Sequence, residues 1–227
     1  MSIKTPDPLV ITIDGPAGAG KSTVARMVAE TIGLPYLDTG AIYRAIAWWL
    51  NGMGIDPSDE NGIRKALPCF SVSLCGSGIS VAGKDVSKEI RGTEIDKIVS
   101  LYAAHKAIRE SLLDLQRKQA ADGLVADGRD MGTVVFPDAG LKIFLTASAE
   151  ERAMRRYKER VSRGEKVNYE EILKQVKERD LYDINREVAP LRPASGCIIL
   201  DSTSMTIKEV VDVIVSLAGE FGANDRN

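Results

Sequence analysis

The sequence predicts an α/β fold: about five parallel strands flanked by helices, with a small antiparallel hairpin insert and a helical lid. Three observations carry this. A short apolar run, Leu9–Asp14, is followed by a glycine-rich loop and then by a helical pattern, the opening of an α/β unit. Between residues 70 and 81 the pattern changes to period two, which marks a hairpin. After residue 148, three helices each open with a cap residue followed three positions later by Glu.

The elements follow in order. Leu9–Asp14 (Leu-Val-Ile-Thr-Ile-Asp) is β-branched and too short for a helix, and it reads as a strand buried on both faces of a parallel sheet. Lys21–Ile32 carries Ala25, Val28 and Ile32 on one helical face and stops at Gly33 and Pro35. Tyr36–Asp38 is a second short strand. Thr39–Leu50 is a helix, with Ile42, Ala45, Ile46, Trp49 and Leu50 one or two turns apart on one side. Phe70–Leu74 and Ile79–Val81 alternate on either side of a turn, Cys75-Gly76-Ser77-Gly78. Glu94–Ala121 is a long helical stretch, either one bent helix or two, with His105 in register with Ile98, Ile108 and Leu112 as a packed helix residue. Leu124–Asp127, Leu141–Leu145 and Cys197–Leu200 complete five strands. Ser148-x-x-Glu151, Asn168-x-x-Glu171 and Thr206-x-x-Glu209 open the last three helices. The final helix turns Ile207, Val210, Val211, Ile214, Leu217, Ala218 and Phe221 inward. The expected organisation is a core of residues 1–50, 124–150 and 190–227, a hairpin insert at 51–93, a long helical segment at 94–123 and a lid at about 155–170.

Composition excludes several classes of function. Of 227 residues, 44% are hydrophobic and 27% charged, enough apolar chain for a substantial core and too much for wholesale disorder. Thirty Lys and Arg against thirty-two Asp and Glu leave a net charge of −2, so bulk charge does not draw the chain onto nucleic acid. No run of eighteen apolar residues points to a membrane span, and the start lacks the apolar core of a secretory signal. Cys69, Cys75 and Cys197 are odd in number and lack C-x-x-C spacing, which fits reduced thiols in a cytoplasm. A single histidine argues against mechanisms built on a histidine pair. With no heptad seam, a monomer is expected.

Gly15-Pro16-Ala17-Gly18-Ala19-Gly20-Lys21-Ser22 matches G-x-x-x-x-G-K-[ST], a phosphate-binding loop, here between a predicted strand and a predicted helix. Its glycines let backbone amides turn toward phosphate oxygens, and the helix that follows offers its positive N-terminus. Lys21 is placed for the β- and γ-phosphates and Ser22 for Mg²⁺, with Thr23 beside it. The fold expected is therefore P-loop NTPase-like, with a nucleoside triphosphate as ligand. A GTPase switch, an ATPase motor and a small-molecule kinase all begin this way. The chain has no N-K-x-D guanine motif, and beyond the insert it shows neither repeats nor large arms.

A second constellation is Leu124-Val125-Ala126-Asp127-Gly128-Arg129-Asp130, an apolar strand that delivers carboxylates at its C-terminal end, where ligands of open α/β sheets bind. Asp127 is a candidate Mg²⁺ ligand, directly or through water. Arginines supply the third feature: Arg44, Arg109, and Arg179 and Arg186 flanking Asp183. Planar guanidiniums clamp phosphates bidentately, as transfer between two phosphorylated molecules requires. Arg152 and Arg156 share one face of the helix after Ser148, and Gly164 offers a break. This arginine-rich segment is a candidate lid over the triphosphate, since a closed site keeps water from the γ-phosphate.

These segments resemble those of bacterial cytidylate kinases, within the nucleoside monophosphate kinases, from Ile11 to about Ser216. The likeness is carried by Ile11–Ser22, Leu37-Asp-Thr-Gly-Ala-Ile-Tyr-Arg44, Asp85–Arg91, Ala126-Asp-Gly-Arg-Asp-Met-Gly-Thr-Val-Val-Phe-Pro-Asp138, Lys177–Asp180 and Asn185–Leu191. The resemblance implies transfer of the ATP γ-phosphoryl group to CMP or dCMP with Mg²⁺. It implies phosphate-gripping roles for Arg44, Arg129, Arg179 and Arg186, and nucleoside contacts from Thr39, Tyr43, Ser100, Arg109, Asp130 and Asp183. Thr39 replaces a serine often found there and keeps its hydroxyl. Cytosine offers an N4 donor with N3 and O2 acceptors, so a carboxylate at Asp130 with donors at Arg109 or Ser100 would favour CMP over UMP. The alternatives are a kinase of UMP, shikimate or dephospho-coenzyme A, or a nucleotide-dependent binding module.

Overall fold

A computed structural model describes residues 8–75 and 78–224 of the chain. The middle of the expected 75–78 turn and the side chain of Phe221 lie outside the described residues. The contacts divide the chain into two units, one made of residues up to Leu37 and from Arg117 onward, the other of Asp38–Gln116.

The first unit is built on a five-stranded parallel sheet. Its strands are β1 (Val10–Asp14), β2 (Tyr36–Asp38), β6 (Leu124–Gly128), β7 (Leu141–Thr146) and β8 (Ile198–Asp201), in the order β2-β6-β1-β7-β8. β1 is central: Ile11 lies opposite both Val125 and Leu141, and Asp14 opposite both Gly128 and Phe144. That placement explains its nearly unbroken apolar sequence, because a central parallel strand has no wet face. The helices α1 (Lys21–Ile32) and α8 (Ile207–Asn224) join one core with the sheet, in which Val24, Ala25 and Val28 meet Ile11, Ile13, Leu145, Val210, Val211 and Ile214. A second cluster of Ala153, Ile172 and Val176, with Tyr157 and Tyr169 packed against it, holds α6 (Ala149–Ser162) to α7 (Tyr169–Asn185).

The predicted caps are made. Ser148 Oγ accepts from the Glu151 amide at 3.1 Å, and Asn168 Oδ1 from the Glu170 and Glu171 amides at 2.7 and 3.2 Å. Thr206 and Glu209 bond reciprocally, backbone amide to side chain in both directions. One expectation needs correction. Ile207 is 46% exposed although it shares a helical face with Val210 and Ile214, because it is the first residue of α8, one turn short of the residues buried in the core. β8 is an edge strand, and its Ile199 is 61% exposed despite the apolar sequence.

The second unit holds α2 (Thr39–Gly52), α3 (Glu60–Ala66), the strands β3 (Val72–Cys75), β4 (Gly78–Val81) and β5 (Lys84–Asp85), α4 (Thr93–Ala103) and most of α5 (Lys106–Lys118). Its sheet is antiparallel, in the order β3-β4-β5, so the insert has one strand more than the hairpin expected. The turn into β5 is Ala82-Gly83, with φ of 48° and 80°. Such a two-residue turn demands left-handed backbone at both positions and normally announces itself with Asn or Asp before Gly; alanine hides it. The long helical stretch is two helices, and His105 lies in the break between them, its carbonyl accepting from the Arg109 amide. Tyr102 is fully buried and donates to Ile55 O at 2.6 Å.

Candidate active site

The loop Gly15–Gly20 joins β1 to α1 at the C-terminal end of the sheet. Gly15 is required by close approach: at φ 150°, an added Cβ would stand 2.0 Å from Leu145 O on β7. Gly18, at φ 79°, lies against α6, where a Cβ would come within 3.2 Å of the Arg152 Cβ. α1 begins at Lys21 after Gly20 with no side-chain cap, which leaves its first amides to a ligand.

Lys21 is 5% exposed, and its ammonium donates to Pro16 O at 2.8 Å, back across the loop. Burial, then the charge of Arg129, push its pKa well below the usual lysine range, against the pull of Asp127 and Asp14; Arg179 also lowers it. Ser22 Oγ donates to Asp127 Oδ2 at 2.8 Å, and Tyr36 donates to the other oxygen, Oδ1, at 2.8 Å. β1 and β6 run in register here, with Ile13 opposite Asp127, which explains why a residue of the loop helix meets one at the end of β6. A hydroxyl and a carboxylate are the hard oxygen donors that Mg²⁺ takes, so this pair fits that ion.

The arginines gather around carboxylates. Arg129 Nε donates to Asp183 Oδ2 at 3.0 Å. Burial pushes the Asp183 carboxyl up, but Arg129, Arg179 and Arg186 together hold it below the usual carboxylate range. Arg186 donates to Ala189 O at 2.6 Å and stands 4.0 Å from the buried Asp130. Since Arg129 and Arg179 bear electrostatically on both Lys21 and Asp183, the structure brings together the predicted cations Lys21, Arg129, Arg179 and Arg186.

Arg152 is 5% exposed and fully engaged, with donors on Ala147 O, Ala17 O and both oxygens of Asp180. Arg156, one turn further along α6, is half-buried. In the second unit, the buried Arg109 guanidinium lies 5.2 Å from the centre of the Tyr43 ring and donates to Ala103 O at 2.9 Å. Arg44 pairs with Asp96 at 2.8 Å, Thr39 is buried at the start of α2, and Ser100 is half-buried on α4.

Sequence reasoning missed three residues. Asp14 ends β1 and accepts from the amides of Met131 and Gly132 at 2.8 and 2.7 Å, so it caps a π-helical turn, Met131–Val135, directly after Asp130. The signal was there: like Asp127, it is a carboxylate at the C-terminal end of a buried strand. Tyr36 read only as a strand residue. Arg155, whose guanidinium donates to Ala19 O at 3.3 Å and Ser202 O at 2.7 Å, gave no signal beyond its charge.

A family model described as cytidylate kinase matches residues 11–220. The cytidylate kinase of Saccharophagus degradans is 50% identical over 216 residues, covering 92% of this chain and 96% of the relative. That of Vibrio vulnificus (strain CMCP6) is 48% identical over 217 residues, covering 93% and 95%. A solved structure, an uncharacterized protein from Eubacterium ventriosum, shares the fold with a TM-score of 0.50 at 12% identity, over 93% of this chain and 98% of that one. A match that takes in the phosphate loop, the Asp127–Asp130 strand end and both arginine-bearing helix ends leaves no segment of the site unaccounted for, and the chain belongs to the cytidylate kinase family.

Proposed function

We propose that this chain is a phosphotransferase that moves the γ-phosphoryl group of ATP onto CMP or dCMP, giving ADP and CDP or dCDP. The observation that carries the reading is a set of arginines beyond the phosphate loop, with Arg129 on Asp183 at 3.0 Å and Arg186 4.0 Å from the buried Asp130. A hydrolase needs charge for one triphosphate; a second group of cations suits the approach of a second phosphorylated molecule.

A CMP phosphate oxygen attacks the γ-phosphorus in line; the new O–P bond forms as the bond to the β-phosphate oxygen breaks and ADP leaves. That oxygen is already ionised near pH 7, so no general base is needed, in keeping with a single histidine. The loop Gly15–Gly20, through its amides other than that of Pro16, holds the ATP phosphates with Lys21, Ser22 and Thr23. Lys21 exchanges its bond to Pro16 O for phosphate oxygens, and burial strengthens that attraction. Arg129, Arg179 and Arg186 neutralise charge that spreads onto the transferring group. Ser22 and Asp127, the latter directly or through water, would hold Mg²⁺, which would supply further neutralisation of the phosphate oxygens. Arg156 serves ATP, and Arg152 serves it through the loop.

For the acceptor, the family likeness assigns nucleotide contacts to Thr39, Tyr43, Arg44, Ser100, Arg109, Asp130 and Asp183. Asp130 accepts from cytosine N4, which uracil cannot offer. No described helix is long and apolar enough to cross a membrane. We place the enzyme in the cytoplasm, a reading supported by the odd number of cysteines and by the described thiols Cys69 and Cys197 being free, and take it as a monomer because its sequence has no heptad seam.

The test is ADP formation from ATP and Mg²⁺ with CMP, dCMP, UMP, AMP, shikimate or no acceptor. Fast turnover with CMP and dCMP and little with UMP is expected. Turnover independent of any acceptor would refute the reading.

A further inference from the structure

We propose that Asp180 is a positioning residue for ATP: through Arg152 it fixes the backbone of the phosphate loop without touching the nucleotide. The geometry stands alone, whereas the identity of the loop's ligand rests on the kinase reading above.

A loop that turns its amides inward to an anion turns carbonyls outward, and those carbonyls need donors. Arg152 Nη1 donates to Ala17 O at 3.1 Å. The rest of its fork is held by Asp180, Nη1 to Oδ1 at 3.0 Å and Nη2 to Oδ2 at 2.6 Å, while Nε is held by Ala147 O at 2.9 Å. The side chains of the pair are 6% and 17% exposed, so this is not a solvated surface bridge. The next residue of the loop, Gly18, lies hard against Arg152, with no room for a Cβ beyond 3.2 Å. Arg155 repeats the device at Ala19 O, so α6 clamps alternate outward carbonyls of the loop.

A pair that merely pins α6 to α7 would look similar, but those helices already share the cluster of Ala153, Ile172 and Val176. The Lys177–Asp180 segment carries the family likeness, and the reaction itself assigns Asp180 no part.

The test uses the full chain as Asp180→Asn, Arg152→Lys and the double variant. The readouts are Kd for a fluorescent ATP analogue with Mg²⁺, KM for ATP and CMP, and the circular dichroism spectrum at assay temperature. Loss of one charged, buried hydrogen bond predicts about tenfold weaker analogue binding and a similar rise in KM for ATP in Asp180→Asn. KM for CMP should stay within about twofold, and the double variant should match Arg152→Lys within about twofold, because Asp180 acts through Arg152. A change below about threefold in analogue binding, equal rises in both KM values, or effects that multiply in the double variant would overturn the proposal. If Asp180→Asn does not fold, Arg152→Lys decides by the same threefold threshold. Analogue binding needs no acceptor, so a parent chain that binds ATP but ignores CMP would refute the kinase reading and leave this test standing.

Discussion

Replacing Asp14 by asparagine should make the protein more stable above neutral pH and less active. The side chain is buried at the end of β1 and accepts two amides, from Met131 and Gly132. Burial is the larger influence and pushes its carboxyl from 3.8 up to about 7, against those two amides, with Asp130 adding repulsion. An acid whose folded pKa is raised contributes stability that is complete below the unfolded value and lost as pH rises through the folded one. The window is therefore about pH 4 to 7. At about 1.4 kcal/mol per tenfold, the loss is on the order of 4 kcal/mol. A protonated Asp14 pairs a carbonyl acceptor with a donor group, as asparagine does, so the two proteins should match near pH 4. By pH 8 the variant should lead by up to that amount. Its kcat should nevertheless fall, because asparagine cannot accept both amides and the turn that follows Asp130 shifts. Urea unfolding of both proteins from pH 4 to 8, followed by far-UV circular dichroism, reads the first effect. A variant equal to or less stable than its parent at pH 8 would show that the two amides outweigh burial, and the reasoning would fail.

Other substitutions test the site directly. Lys21→Met should lower kcat by about 10²-fold or more while KM for CMP changes little; steady-state kinetics with both substrates varied would show this. The depressed pKa of Lys21 in the free protein means its charge is lost at lower pH than an ordinary lysine's, so kcat/KM for ATP should decline on the alkaline side; Lys21→Arg, if active, should move that limb upward in a pH–rate profile. Asp130→Ala should collapse the CMP-to-UMP ratio of kcat/KM, expected to be about 10⁴ in the parent, toward unity. Ser22→Ala removes one oxygen of the pair at 2.8 Å and should raise the Mg²⁺ concentration needed for half-maximal rate, measured by titration at fixed ATP.

Much of the fold was legible because its signals are local. The buried strand before Gly15, the glycine loop and the caps at Ser148, Asn168 and Thr206 are each written within a few residues, and each is made as written. β5 was not legible because alanine occupies a left-handed position at Ala82. In the site, Lys21, Ser22 and Asp127 could be picked out from motif and strand end. The Arg152–Asp180 pair joins residues 28 apart on two helices, and no spacing rule on one chain predicts it. Asp14 sat inside the most recognisable segment and was passed over as the last residue of a strand, although its neighbour in space is the turn 117 residues later. The division at Leu37 and Gln116 depends on long-range contacts that composition does not register.

The position of β1 in the middle of its sheet sets an order of events during synthesis. β1 is made first, yet its two neighbours are β6 and β7, more than 100 residues later in the chain. Residues 38–116 emerge in one stretch and have their own set of contacts to close while they wait. Ile11 and Ile13, fully buried at the end, have no strand partner until β6 has left the ribosome and lack their second until β7 follows. Pairings of such long sequence separation form slowly. The segment that cradles the nucleotide is therefore among the first made and among the last set, and a nascent chain cut short before β7 should be unable to hold ATP.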